Sequence, residues 1–252
     1  MSGRPAVLAL AATGLALMGG CGGDDPDEVL SQTARKLGQI RSGELSMRMS
    51  VDAGPGGGVG FALAGPFALP RSGGMPRARV TYTQIAGGRR ASATLTSTGR
   101  RAFVTAGGRT RKLKAARARR LRLGKGGAGD RLRVGSWVRD PELADGPRLD
   151  GAETQRVTGR LDVRATARDL TRVSGALGPG DGGVLGRAGG RELERSVRRS
   201  SFELVTGKDD RLLRRLRIGI AMSLPGGRQA RVRFALGVRR PNQPVTIPVP
   251  RG

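Results

Sequence analysis

Among the side chains that do chemistry, this 252-residue sequence offers no histidine and a single cysteine, against 41 arginines and five lysines. Without imidazole there is no Ser-His-Asp or Cys-His pair, no His-ligated zinc or haem, and no general base of that kind near neutral pH. The lone Cys21 can form neither an internal disulfide nor a thiolate-rich metal site. The carboxylates Asp140, Asp145, Asp150 and Glu153 lie close in sequence, and two carboxyl groups held across a cleft could hydrolyse a glycoside. Asp140 precedes Pro141, however, the others stand in loop-like sequence, and only Trp137 is near to stack on a sugar. None of the 43 glycines has the spacing of a phosphate-binding loop, and turns account for them better. The expectation is a protein that is not an enzyme and needs no metal or cofactor.

The formal net charge is +26. Nucleic acid is a poor partner for it, because seven aromatics leave few stacking platforms and no recognition motif is present. Basic residues are densest over 111–133, where ten stand with one acid. Arg111, Lys112, Lys114, Arg117 and Arg120 are the candidates to meet lipid head groups or an anionic surface, at roughly 1 kcal/mol per charge near an anionic bilayer. Anionic wall polymers are an equal alternative. Arginine in place of lysine, beside so much glycine, is also what a GC-biased coding sequence yields, so the run reads equally as a solvated loop.

The N-terminus reads as an address. Arg4 precedes an apolar run of twelve residues at 6–17 (AVLALAATGLAL). A bilayer-spanning helix needs roughly 20, so the run suits a signal-peptide core. It ends in LMGGC, which resembles the lipobox of bacterial lipoproteins, where a peptidase cuts before a cysteine carrying diacylglycerol. Met18 stands where that pattern usually has Leu. The resemblance implies a signal peptide at 1–20, lipidation at Cys21, a flexible tether over 21–26, and one domain over 27–252 with a basic insert near 111–133. It implies a chain anchored in the cell envelope, on the outer face of the cytoplasmic membrane.

Asp25, Pro26 and Glu28 predict a capped helix start, with Glu28 completing a capping box, and Leu30, Thr33, Ala34, Leu37 and Ile40 carry the helix to about residue 41. The period then changes to two. Leu45, Met47, Met49 and Val51 form one apolar face; Val59, Phe61 and Leu63 form the next, and strands follow at 78–85, 91–97 and 101–106. One short basic helix falls within 111–133, Trp137 to Pro141 reads as a loop, and a strand covers 153–161. Asp162 caps a helix with the stripe Val163, Ala167, Leu170 and Val173, and 191–199 reads as a short charged helix. The clearest alternation is terminal: Leu216, Ile218, Ile220, Met222 and Leu224, a Pro-Gly-Gly turn, then Ala230, Val232, Phe234, Leu236 and Val238. The end, 241–250, is at most an edge strand.

The order helix, meander, helical insert and terminal hairpin is similar to the LppX/LprG lipoprotein family, within the LolA/LolB-like group. The local markers are Trp137 with Asp140-Pro141, the segment 151–159 leading through Leu161-Asp162-Val163 to Asp169-Leu170, and Asn242 to Ile247 before Pro248. The resemblance implies an α+β fold, a strongly curved antiparallel sheet or half-barrel with helices over its concave face. It also implies a monomeric protein that binds lipid or lipoglycan acyl chains, palmitate among them, and carries or retains them, with a membrane transporter as a further partner. Cavity candidates are Leu45, Met47, Met49, Phe61, Leu63, Leu170, Val173, Leu216, Ile218, Ile220, Met222, Val232, Phe234 and Leu236. The low aromatic content and the Arg-rich insert depart from the family. The alternative is a non-catalytic envelope scaffold with a self-filled core that binds anionic polymer or a partner protein.

Overall fold

The structure, a computed structural model, describes residues 24–54, 58–71, 74–119, 121, 134–169 and 194–248. Its frame is one antiparallel sheet of eleven strands. The first six are β1 (Ser42–Asp52), β2 (Val59–Ala68), β3 (Arg77–Ala86), β4 (Arg89–Thr98), β5 (Ala102–Ala106) and β6 (Arg109–Lys112). After them come β7 (Val138–Asp145), β8 (Thr154–Leu161), β9 (Val197–Gly207), β10 (Leu213–Ser223) and β11 (Gln229–Arg239). The spatial order β6-β5-β4-β3-β2-β1-β11-β10-β9-β8-β7 joins two meanders through β1 and β11, and among the described residues leaves β6 and β7 as edges. Among the described residues the sheet is accompanied by α1 (Pro26–Lys36), α2 (Ala115–Arg119), α3 at 163–169 and one helical turn at 194–196.

Helix α1 starts where the cap predicts. The Asp25 side chain accepts from the Asp27 N–H, and Pro26 occupies the first turn, where its missing N–H costs nothing. Glu28 does not close a capping box; its carboxylate accepts from Gln32 one turn on. The helix ends at Lys36 and tightens into a 3-10 turn at Leu37–Gln39. Val29 and Leu30, both almost fully buried, press it onto the sheet. Thr33 adds a buried hydroxyl chain: its Oγ1 lies 2.8 Å from Val29 O and 3.1 Å from Thr206 Oγ1, which donates to Leu212 O.

Several sequence expectations are corrected. Residues 197–207 form strand β9, not the end of a charged helix, with Phe202 and Leu204 in the core. The pattern was hidden because Ser200 and Thr206 share the inner face with them, while Val205 is apolar on the outer face. Trp137 ends a 3-10 turn, and Val138 to Pro141 open β7 instead of a loop. A bulge between Arg139 and Glu142 absorbs Asp140 at φ 50 and Pro141, which has no N–H to give a ladder. Opposite the bulge a Cβ on Gly159 would fall 2.8 Å from Arg139 O. Within the basic insert, Arg111 and Lys112 belong to β6 and only 115–119 is helical among the described residues. Residues 241–248 form no strand, although Arg41 N donates to Asn242 Oδ1 and Ser42 Oγ to Gln243 O. Cys21, Arg120, Leu170 and Val173, like the whole leader, lie outside the described residues.

Candidate functional site: an apolar hollow under the N-terminal helix

Directly paired residues in a sheet point to the same face, so the register decides what the concave side carries. One row runs Leu204, Leu216, Leu236, Met47, Leu63 from β9 to β2, each residue paired with the next. A neighbouring row runs Phe202, Ile218, Phe234, Met49, Phe61. A third brings together Ile220, Val232 and Val51. Val157, Leu161, Phe202, Leu204, Leu216 and Ile220 are buried in one core cluster with Val29 and Leu30 of α1. Ile218, Met222, Val232, Phe234 and Leu236 are only partly buried against that core.

Between α1 and the sheet lies a cavity of about 270 Å³. Thr33, Ala34, Leu37 and Ile40 form its roof, and Val134 and Trp137 close one side. The floor is Leu45, Phe67, Leu204, Leu213, Leu216, Leu236 and Val238. Phe67 on β2 and Leu204 on β9 are four strand spacings apart, roughly 19 Å along a flat sheet. Both touch this one small cavity, so the sheet curves around it. Of the residues singled out from the sequence, Leu45, Leu216 and Leu236 line it. Met47, Met49, Phe61, Leu63, Ile218, Ile220, Met222, Val232 and Phe234 share the concave face without lining it. Phe67, Val134, Leu204 and Leu213 were missed, since nothing in their own segments marks them as neighbours of the helix.

Polar contacts hold the side wall in place. Trp137 Nε1 donates to Asp169 Oδ2 at 3.0 Å, both residues being buried, which ties the wall to α3. Asp162 caps α3 by accepting from Ala165 N at 2.8 Å and takes a two-nitrogen contact from Arg139 at 2.8 and 2.9 Å. Burial opposes its charge, but the Ala165 N–H and the Arg139 guanidinium outweigh that and hold its carboxyl below the usual range. Ahead of α1, Gln155 and Arg211 both donate to Asp24, lowering its pKa likewise.

Three of the carboxylates considered for glycoside chemistry are held by separate basic partners. Asp140 pairs with Arg160, Asp145 with Lys208, and Asp150 with Arg239 and the Arg240 N–H. Among the described residues no three His, Cys, Asp or Glu side chains gather as metal ligands, and no helix is long and apolar enough to cross a membrane. Arg111, Lys112, Lys114 and Arg117 are all exposed, on β6 and the segment after it.

The sheet is open, curved and antiparallel with its N-terminal helix on the concave side, the α+β half-barrel arrangement expected from the sequence. Among solved structures the chain is similar to LprF from Mycobacterium bovis, at 15% identity over 90% of this chain and 97% of that one, with a TM-score of 0.46. A LolA superfamily protein from Nitrosomonas europaea matches at 10% identity over 86% and 94%, with a TM-score of 0.22. An outer membrane lipoprotein-sorting protein domain from Vibrio parahaemolyticus matches at 6% identity over 85% and 92%, with a TM-score of 0.23. No protein-family model and no curated protein matches the sequence. The half-barrel assignment rests on strand order and register.

Proposed function

We propose that this protein is a non-catalytic, membrane-anchored lipoprotein of the cell envelope that takes the acyl chains of a lipid or lipoglycan into its concave face. The observation that carries the reading is the cavity beneath α1, where twelve of the thirteen lining residues are apolar and Thr33 is the exception. At about 270 Å³ it exceeds the ~150 Å³ hollow that accepts benzene and approaches the lower end of ~300–1,000 Å³ ligand sites. Part-buried Met47, Met49 and Met222 on the same concave face are adaptable side chains suited to chains of varied length. Each methylene buried contributes about 0.8 kcal/mol, so eight of them supply about 6 kcal/mol. Cys21 is the anchor in this reading, and lipids exchange between the bilayer and the hollow.

The test is organic extraction of the full-length protein followed by mass spectrometry. Stoichiometric acyl lipid is expected. An empty protein whose melting temperature is unmoved by added palmitate or phospholipid would overturn the reading. For the anchor, Cys21→Ser moves the protein from the membrane fraction to the soluble fraction; retention in the membrane refutes lipidation at that residue. A second reading, a scaffold with a basic outer coat, draws on exposed Arg48, Arg217, Arg231 and Arg233 on the convex face. It requires the extracted protein to be empty.

A further inference from the structure

The row that leaves the cavity through Leu216, Leu236, Met47 and Leu63 does not stop at β2. It continues, pair by pair, through Tyr82, Ala93 and Ala106, and ends on edge strand β6 at Arg109. A parallel row, Val80, Leu95 and Val104, ends at Arg111. Arg109 and Arg111 therefore point to the concave face, about 7 Å apart along the strand. Thr110 and Lys112 point the other way, as the 2.8 Å hydroxyl contact between Thr110 and Thr105 on the outer face shows. Along the track Tyr82 is 40% exposed and stacks on Phe61, with ring centroids 6.1 Å apart. Both arginines are exposed, and among the described residues neither enters an ion pair with a carboxylate.

An apolar floor that terminates in two uncompensated guanidinium groups on the same face matches an anionic amphiphile. From Met47 to Arg109 is five strand spacings, roughly 24 Å along the sheet. We propose that Arg109 and Arg111 bind the phosphate or carboxylate head group of the lipid whose acyl chains lie along these rows toward the cavity. The proposal rests on the acyl-binding reading above and adds the polarity of the ligand and its direction on the sheet. Charges on an exposed edge strand also guard against pairing with other chains. Lys112 on the opposite face serves that purpose equally, so the two roles separate by face.

The experiment compares dipalmitoyl phosphatidic acid with dipalmitoylglycerol, whose acyl chains are the same. Full-length protein stripped of lipid is equilibrated with each in mixed micelles and the bound lipid is measured by mass spectrometry. Charge-assisted hydrogen bonds predict that the wild type retains phosphatidic acid roughly tenfold better. In Arg109→Gln/Arg111→Gln this preference falls to parity while dipalmitoylglycerol binding and the melting temperature stay unchanged; Lys112→Gln behaves as wild type. Equal binding of the two lipids by the wild type, or the same loss in the Lys112 variant, overturns the head-group site and leaves the acyl reading standing. Binding of neither lipid overturns both. Excess inorganic phosphate separates the sources of the anion: retention of phosphatidic acid in its presence supports a lipid head group. Phosphate binding to stripped protein as tightly as phosphatidic acid overturns the proposal.

Discussion

Adding bulk inside the hollow distinguishes space from packing. Leu45 and Leu236 line the cavity from neighbouring strands β1 and β11 and are only part-buried. Replacing both with Phe puts two rings into the cavity. If these take up roughly a fifth of its 270 Å³, the recovered packing at ~24 cal/mol per Å³ stabilises the lipid-free protein by about 1.3 kcal/mol. For a chain of this size that raises the melting temperature by about 3–5 °C. The same rings occupy the volume that acyl chains need, so co-purified lipid falls severalfold. Denaturation of extracted protein gives the first quantity and mass spectrometry of untreated protein the second. In a core already packed at these positions, overfilling costs ~1–3 kcal/mol instead. A double variant that is destabilised by that amount refutes the existence of usable space under α1.

Three further outcomes follow from the wall and the sheet. Trp137→Phe keeps the ring but removes the N–H donated to buried Asp169, and denaturant unfolding should show a loss of about 1–3 kcal/mol. Gly65→Ala is expected to cost about 2 kcal/mol or more, because φ is +145° there and the new Cβ would fall 1.9 Å from Arg79 O; a neutral result by calorimetry contradicts the β2–β3 geometry. The folded carboxyl of Asp162 titrates below its unfolded value near ~3.9. Its stabilisation is therefore complete above that value and is lost as pH falls through the folded pKa. Asp162→Asn keeps a capping side chain and should be less stable than wild type at pH 7, by under ~1 kcal/mol since Arg139 is largely exposed. The gap closes in acid, and urea titrations across pH 2–7 check this.

Much of the frame could be read from the sequence wherever one face is apolar and the other wet. The β10–β11 hairpin is the clearest case: Leu216 to Met222 and Val232 to Val238 alternate without interruption against Arg217, Gly219, Arg231 and Arg233. β9 was illegible because its inner face mixes Ser200 and Thr206 with Phe202 and Leu204, and the hydroxyl of Thr206 is satisfied by Thr33 from a helix 173 residues away in sequence. β7 was illegible because its bulge places Asp140-Pro141, ordinary turn residues, inside a strand. The site was legible only as a face. Which of its residues meet α1 depends on the curvature and on where the helix lands, and no local pattern encodes either. That Arg109 and Arg111 face inward depends on a register in which a slip of one residue would have turned Thr110 and Lys112 inward instead.

The seam between the two meanders bears on how the molecule comes into being. Its first and last strands are neighbours: Glu44 on β1 and Arg239 on β11 are partners nearly two hundred positions apart. The first meander closes through short hairpins and the second has one long connection, residues 162–196 between β8 and β9, whereas the seam needs the longest loop closure in the sheet and forms slowly. A chain truncated before Gln229 would be two half-sheets, with β1 and β10 each exposing an unpaired edge of the kind that invites association with other chains. Leu45 stands on one side of the seam, Leu236 and Val238 on the other, and all three line the hollow. The hollow is thus completed by β11, and a fragment that ends before that strand lacks Leu236 and Val238 from its lining.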